Sequence, residues 1–338
     1  HMAANQAKTL KWPRKVDDQL KLLSDIRQTE SLDESALTLL RRAVSSKTGL
    51  VVAQAAKIVA LRSLPEFDAM LMEAFERLMD DAAKRDPNCR AKIAIAESLT
   101  GRDIDAENIF RHGLSWTQFE PVWGRSVDTA PPLRALCARA LVDLRVWDLM
   151  ARLTDLLADP EHVARLGAVD ALTASGRSEA LYALRLKARL GDAEPEVTGA
   201  CFEGVLALDE HEGVSFVQGY IRRHDPVLTD YALLALGQSR RQDALPILIK
   251  WVEERAVLES NDAGLSAIVS HRSEAALDYL LSKLADGRPR DAVAIIETLA
   301  PMAFDPRIVA SVHRATRARS EPELKEVLQS KFPTSGSS

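Results

Sequence analysis

A short pattern that recurs along the chain constrains the fold of this sequence more than any other feature. An acidic residue followed by proline opens each copy, and a segment rich in alanine and leucine closes it. An aspartate at this position can cap free amides of a first helical turn, and proline there loses no hydrogen bond. Each copy therefore predicts the start of a helix. The openings are Asp86-Pro87, Asp159-Pro160, Glu194-Pro195 and Asp225-Pro226.

The spacing of the copies predicts an arrangement of paired helices. The apolar residues near successive helix ends are 28 to 42 residues apart, and a second amphipathic segment lies between consecutive copies. Two helices joined by a short turn cannot bury their apolar faces alone, whereas stacked pairs can. We therefore predict an all-α fold, a right-handed α-solenoid of about eight stacked helical hairpins with capping helices at both ends. The hairpins are expected at 33–64, 66–100, 104–144, 147–174, 178–208, 212–238, 243–270 and 274–300.

Composition agrees with this organisation. The 338 residues include 49 alanines and 46 leucines but only 15 glycines and 15 prolines, which favours helices over turn-dense β folds. The capping helices are expected near 15–28, 305–318 and 321–331. We predict a flexible basic segment at 1–14, one continuous solenoid over 15–331, and a disordered tail at 332–338.

The repeat resembles the HEAT-repeat family, including its short bacterial variant. The segment from Ala244 to Ile249 resembles the first helix of that family, with its proline inside the helix. The segment from Asp225 to Gly237 resembles the second helix. The resemblance covers about residues 33–300 and is looser before residue 130. The arginine that the family usually carries inside the second helix is present only in places, as Arg90, Arg134 and Arg165.

Charge and cysteine content narrow the class of protein. The net charge of −5 disfavours a protein that coats nucleic acid or a strongly basic membrane-surface protein. Cys89, Cys137 and Cys201 are far apart within helical patterns and are typical of core residues in a reduced, cytosolic protein. No apolar run approaches the length of a membrane span. We therefore expect a cytoplasmic protein without a membrane partner.

Motifs that carry chemistry are absent from the sequence. It contains no GxSxG, GxGxxG or phosphate-binding glycine-rich motif. One enzyme type of the HEAT family, deoxyhypusine hydroxylase, holds two irons on repeated His-Glu pairs, but this chain has the single pair His211-Glu212. We predict no catalytic residues, no metal site and no cofactor, and we expect that the chain is not an enzyme.

A cluster of aromatic residues interrupts the repeat at 114–130. Trp116, Phe119 and Trp123 lie in this insertion, within the longest interval between repeats. Inserted loops in repeat proteins often lie on the binding face, and exposed aromatic residues are favoured interface anchors. The alternative is that the rings fold back and fill a gap between the third hairpin and its neighbours. The sequence leaves both interpretations open.

A row of arginines follows the second helix of successive repeats. Such cations could form a strip that binds phosphates or an acidic peptide. Alternatively, a cation after a helix C-terminus offsets the helix dipole and bonds free carbonyl groups. The candidate binding residues are Arg145, Arg177, Arg240, Arg241 and Arg272, and the row also includes Arg62, Arg102 and Arg307.

These features support three functional hypotheses. The first is a non-catalytic scaffold or adaptor that binds a partner protein or peptide on a repeat-lined surface. The sequence does not specify an oligomeric state. The second is a nucleic-acid-binding protein, because bacterial DNA glycosylases of the HEAT-like type share this architecture and the arginines and tryptophans could contact a backbone and bases. The third is a relative of chromophore lyases, which also resemble the repeat. The absence of catalytic motifs favours the scaffold.

Overall fold

The computed structural model describes residues 11–102, 104–221, 225–254 and 262–333. Helices include 74% of these residues, and the only strands in the described ranges form one short β-hairpin. The prediction of an all-α fold is therefore confirmed. The chain divides into two compact units, of which the first ends at Ser175 and the second begins at Gly176.

The first unit contains ten helices and both strands in its described residues. Single turns of 3-10 helix at Pro65–Phe67 and Pro87–Cys89 precede the fourth and sixth helices. The elements are α1 (Val16–Gln28), α2 (Glu34–Val44), α3 (Gly49–Arg62), α4 (Asp68–Arg77), α5 (Ala82–Arg85), α6 (Arg90–Leu99), α7 (Glu107–Ser115), β1 (Phe119–Val122), β2 (Arg125–Asp128), α8 (Pro131–Asp143), α9 (Leu149–Leu156) and α10 (His162–Ser175).

The core of the first unit is built from the second helix of each hairpin. Helices α3, α6, α8 and α10 pack against one another in succession. Helix α3 shows why these helices form the core. It consists mostly of small and branched apolar residues, which are buried on more than one side of the helix. Val51, Val52, Ala55, Ala56 and Ile58 are all inaccessible to solvent or nearly so. A helix that is apolar over most of its circumference can only be stable between neighbours.

The second unit contains ten helices in its described residues, with a 3-10 turn at Ala300–Met302. Helices α12, α14, α16, α18 and α20 pack in succession, as the second helices do in the first unit. The elements are α11 (Ser178–Leu190), α12 (Pro195–Leu208), α13 (Gly213–Ile221), α14 (Pro226–Ser239), α15 (Leu245–Glu254), α16 (Asp262–His271), α17 (Glu274–Asp286), α18 (Pro289–Leu299), α19 (Pro306–Thr316) and α20 (Pro322–Lys331).

The acidic-proline openings act in different ways. Asp225 caps α14, since its Oδ1 accepts a hydrogen bond from Leu228 N at 3.1 Å. Glu194 precedes α12 without a side-chain capping bond. Asp86 is fully buried and accepts from Ala91 N at 2.7 Å, beyond the 3-10 turn. The openings thus mark helix starts, but only some of them do so through a local cap.

The chain ends differ in what the structure describes. Residues 1–10 of the predicted flexible segment and residues 334–338 of the predicted tail lie outside the described ranges. Phe332, assigned to that tail in the prediction, is buried, and its carbonyl oxygen lies 3.0 Å from His313 Nε2. Within the described ranges, no helix has both the length and the apolar character needed to cross a membrane.

Candidate functional site

The aromatic insertion forms an antiparallel β-hairpin. Phe119 pairs with Asp128 at its base, and Val122 pairs with Arg125 next to the turn. Trp123 and Gly124 make the turn, with φ angles of +49° and +78°. Two consecutive positive φ angles in a two-residue turn are the geometry of type I′, which matches the twist of the strands. We refer to residues 116–129 as the aromatic β-hairpin.

Trp123 at the tip combines two unfavourable features. Its side chain, the largest of the twenty amino acids, is 100% exposed and therefore gains no stabilisation from burial. Its backbone is left-handed, which costs an L-residue with a bulky side chain roughly 1–2 kcal/mol relative to glycine. Asparagine, aspartate or glycine would suit the turn better. Neither feature stabilises the fold, so packing does not explain a tryptophan at this position.

The remaining residues of the aromatic β-hairpin divide between solvent and core. Phe119 is 62% exposed, and Val122 and Val127 are also exposed. Trp116 turns inward: its Nε1 donates to Gln118 Oε1 at 3.1 Å, and its ring lies 5.6 Å from Lys92 Nζ. Of the two interpretations of the three rings, filling a gap fits Trp116, and exposure for contact fits Phe119 and Trp123.

Buried polar side chains attach the base of the aromatic β-hairpin to the helices. Gln118 Nε2 donates to the carbonyl of Asp86 at 2.8 Å, and Gln118 N donates to Asp128 Oδ1 at 3.0 Å. Arg134 of α8 donates through Nη1 to Asp128 Oδ2 at 2.7 Å and to the carbonyl of Trp116 at 2.8 Å. Gln118, Asp128 and Arg134 are all buried. The tip is therefore held on a rigid base.

The carboxylate of Glu120 in the aromatic β-hairpin accepts hydrogen bonds from neighbouring residues. Glu120 Oε1 accepts from Thr129 Oγ1, Gln118 Nε2 and Asn88 N, each at 2.7 Å. Burial raises the pKa of Glu120, but these hydrogen bonds outweigh it and lower that pKa below its ordinary value. The Arg125 side chain is exposed and makes no hydrogen bond or ion pair with the described residues. The hairpin thus exposes apolar surface and one cation that is unpaired within the described residues.

Reactive side chains below the hairpin are neutral or paired. Burial raises the pKa of the Cys89 thiol to about 12, so it is a neutral donor, and its Sγ lies 3.2 Å from Gln118 Oε1. Lys92 Nζ lies 3.0 Å from Asp86 Oδ2, and both side chains are fully buried. Within the described ranges, no group of three or more His, Cys, Asp or Glu residues is placed to hold a metal ion.

Some arginines of the row bond to the ends of helices from the preceding repeat. Arg62 Nη2 donates to the carbonyl of Arg27 in the last turn of α1 at 3.1 Å. Arg241 donates to the carbonyls of Asp209 and Glu210 after α12, at 2.7 and 2.6 Å. These contacts match the helix-end interpretation of the row. Similar bonds to main-chain carbonyls are made by Arg77, Arg102 and Arg319.

Three other arginines of the row have left-handed backbones within two residues of the end of the second helix of a hairpin. Arg145, Arg240 and Arg272 have φ angles of +56°, +52° and +55°. Their side chains are exposed and make no hydrogen bond or ion pair within the described part of the chain. The corresponding turns after α6 and α10 contain Gly101 and Gly176, the residue that suits this conformation. These three guanidinium groups therefore make no capping hydrogen bond within the described residues, although their charges offset the helix dipoles.

The two remaining arginines of the row, Arg177 and Arg307, each contact a carboxylate two residues away. Arg177 is exposed and contacts Glu179 Oε1 at 3.0 Å. Arg307 contacts Asp305 Oδ2 at 3.1 Å, and its side chain is 90% exposed. Arg272 and Arg307 line the same cavity in the second unit. The row therefore contains residues in three different environments.

Several residues of interest lie outside the predicted set. Trp147 is 84% exposed, two residues after Arg145. Gln118 and Asp128 hold the aromatic β-hairpin but carry no recognisable motif. The β-prone residues Phe119, Val122 and Val127 on either side of Trp123-Gly124 are the signal that could have indicated a β-hairpin in place of an irregular insertion.

Comparison with known proteins adds no family: no protein-family model and no curated protein matches this chain.

Proposed function

We propose that this chain is a HEAT-like α-solenoid of the cytoplasm that acts as a non-catalytic scaffold and binds a partner protein through the aromatic β-hairpin. The successive packing of second helices within each unit supports the solenoid. The three cysteines, all buried free thiols, support a reducing compartment. The observation that carries the proposal is Trp123, fully exposed and left-handed at the tip of the hairpin.

Such an arrangement is suited to protein recognition. Tryptophan and arginine are the residues most enriched among interface positions that dominate binding energy. Trp123 supplies a large apolar surface that can enter a pocket of the partner, and Arg125 supplies a charge that can meet a carboxylate. The buried hydrogen bonds of Gln118 and Arg134 fix the base before binding, which lowers the entropy lost on association.

A photo-crosslinking amino acid at position 123, in the cells that naturally produce the protein, tests this proposal. The same amino acid at Tyr182, which is 71% exposed on α11 in the other unit, is the matched control. We expect one dominant adduct from position 123 that is absent from position 182. Identical adduct patterns from both positions would remove the hairpin as the contact element.

The substitution Trp123→Asn then separates binding from folding. Asparagine is favoured in the left-handed positions of a type I′ turn, so the variant keeps the hairpin while it removes the indole. We expect the affinity of the purified chain for the crosslinked partner to fall about 30-fold, as for a residue that dominates an interface. An unchanged affinity would contradict the proposal.

Nucleic-acid binding is a second candidate function. It is favoured by the exposed arginines next to exposed aromatic residues, Arg125 with Trp123 and Arg145 with Trp147. The net charge of −5 opposes it. Tryptophan fluorescence can be titrated with single-stranded and duplex DNA at low salt. An affinity for DNA that falls steeply with added salt would favour this function. No change in fluorescence would leave the protein-binding scaffold as the proposed function.

A further inference from the structure

A cavity in the second unit has the form of a ligand pocket. It lies among α16, α17, α18 and α19 and has a volume of about 320 Å³. This volume is at the lower end of the range of small-molecule sites, which is roughly 300–1,000 Å³. The apolar part of its wall consists mainly of Ile268, Leu277, Leu280, Leu299, Met302 and Ile308.

Arg272 lines this cavity and has no counter-ion among the described residues. Its guanidinium makes no hydrogen bond or ion pair within the described ranges, and its side chain is exposed. Its backbone is left-handed at a turn position that contains glycine after α6 and α10. A cation therefore lies next to an apolar cavity, at a left-handed position of the kind that Arg145 and Arg240 also occupy.

The wall of this cavity contains three other charged residues, Glu274, Asp305 and Arg307. Asp305 and Arg307 neutralise each other, because Arg307 Nη2 lies 3.1 Å from Asp305 Oδ2. Asp305 also accepts a hydrogen bond from Arg307 N as the cap of α19. Glu274 lies in the first turn of α17, where a carboxylate offsets the helix dipole. Arg272 is the cation of the wall without a side-chain hydrogen bond or ion pair within the described residues, although its charge, like that of Glu274, also offsets a helix dipole.

We propose that this cavity binds a small apolar molecule that carries a carboxylate. The hydrocarbon part occupies the space between Leu277, Leu280 and Ile308, and the carboxylate pairs with the Arg272 guanidinium. Arginine holds a carboxylate through two parallel hydrogen bonds, which gives the site its selectivity for this group. Glu274 repels an anion at this position, so it reduces the preference for a carboxylate without reversing it. The site is independent of the aromatic β-hairpin.

Calorimetric titration of the full chain with octanoate and with 1-octanol tests the charge requirement. The two probes share a hydrocarbon chain, and only octanoate carries the carboxylate. We expect octanoate to bind about tenfold more tightly or better, the ratio expected for one charge-assisted contact. A peptide ending in a free leucine carboxylate, compared with its amide, shows whether a polypeptide end can supply the same chemistry. Equal affinities for octanoate and octanol, or no heat at millimolar octanoate, would overturn the proposal.

Two matched glycine variants test the residue. Arg272→Gly removes the guanidinium and relieves the left-handed backbone, so we expect a raised Tm together with octanoate affinity reduced to that of octanol. Arg240→Gly makes the same change in the same conformation on the preceding repeat, away from the cavity wall. We expect it to raise the Tm without altering octanoate binding. Unchanged binding in Arg272→Gly, or an equal loss in both variants, would contradict the assignment.

The substitution Glu274→Gln should strengthen octanoate binding, the opposite of the effect expected for Arg272→Gly. The substitution removes a negative charge from the cavity wall, and we expect octanoate to bind several-fold more tightly while octanol binding stays constant. A weaker affinity for octanoate would show that the anion does not lie at this wall.

Discussion

Lys92 Nζ and Asp86 Oδ2 are 3.0 Å apart at a point where both side chains are fully excluded from solvent. Asp86 Oδ1 also accepts from Ala91 N at 2.7 Å, and the Asp86 carbonyl accepts from Gln118 Nε2 at 2.8 Å. Lys92 Nζ also donates to the Leu78 carbonyl at 3.2 Å. This pair therefore links the start of α6, the end of α4 and the base of the aromatic β-hairpin.

Removal of one partner of this pair leaves a buried charge without compensation. We expect Asp86→Asn to lower the free energy of unfolding by about 3–5 kcal/mol, and Lys92→Met to have a comparable effect. The double variant should lose less than the sum of the two, because it leaves no isolated charge. Urea denaturation of the four proteins measures this cycle. Additive losses would show that the two side chains are not coupled.

Acid should weaken the attachment of the aromatic β-hairpin. Burial raises the pKa of Asp128, but hydrogen bonds from Gln118 N, Ala130 N and Arg134 outweigh it and lower that pKa below its ordinary value of 3.8. A lowered native pKa means that the ionised carboxylate stabilises the fold above pH 4, and that this contribution disappears as the pH falls further. Thermal unfolding followed by tryptophan fluorescence should show a Tm that falls below pH 4.

The variant Asp128→Asn identifies the group responsible. Its amide cannot be protonated in this range, and it loses the charge that faces Arg134. We expect a lower Tm than wild type at pH 7 and a smaller further loss between pH 5 and pH 3. A drop of the same size in both proteins would assign the acid sensitivity to other carboxylates.

Close approach of α8 and α10 depends on Gly167. A Cβ at this position would lie 2.3 Å from Ala135 Cβ, well inside contact distance. We expect Gly167→Ala to destabilise the protein by about 1–3 kcal/mol, although alanine is the better helix former. Gly219 in α13 is the control, because a Cβ there meets nothing within 4 Å. Gly219→Ala should stabilise by about 0.5–1 kcal/mol. Urea midpoints that shift in the same direction would contradict the packing model.

Local signals were sufficient to predict the helices. Asp225-Pro226 predicts the start of α14, and the capping bond that fixes it joins Asp225 to Leu228, only three residues away. The hairpin predicted to begin at residue 274 likewise starts with α17, where Ser273 Oγ accepts a hydrogen bond from Ala276 N, three residues away. Interactions of such short range can be read from sequence spacing because neighbours in the chain are also neighbours in space.

The aromatic β-hairpin was predicted only as an insertion, since its structure depends on distant partners. Gln118 bonds to Asp86, 32 positions earlier, and Arg134 bonds to Asp159, 25 positions later. No spacing rule connects these residues. The turn also lacks the usual Asn-Gly signal, because Trp123 occupies the first position in place of a residue suited to a positive φ.

The sequence could not distinguish the environments of the arginines of the row, because those environments also depend on distant residues. Arg240 and Arg241 are adjacent, yet Arg240 is left-handed and exposed, whereas Arg241 bonds to carbonyls about 30 residues earlier. Both residues follow a second helix, which is all that the repeat pattern records. Their environments are set by tertiary contacts between repeats.

This adjacent pair gives a matched test of the two roles. Arg241 donates to Asp209 O at 2.7 Å and Glu210 O at 2.6 Å, so Arg241→Met leaves the carbonyls after α12 without these donors. We expect a loss of about 1.5–3 kcal/mol in the free energy of unfolding. Arg240→Met keeps the left-handed Cβ and removes no contact within the described residues, so its effect should stay within about 0.5 kcal/mol. Urea denaturation of both variants measures the difference. Equal losses would mean that the carbonyl contacts of Arg241 do not stabilise the fold.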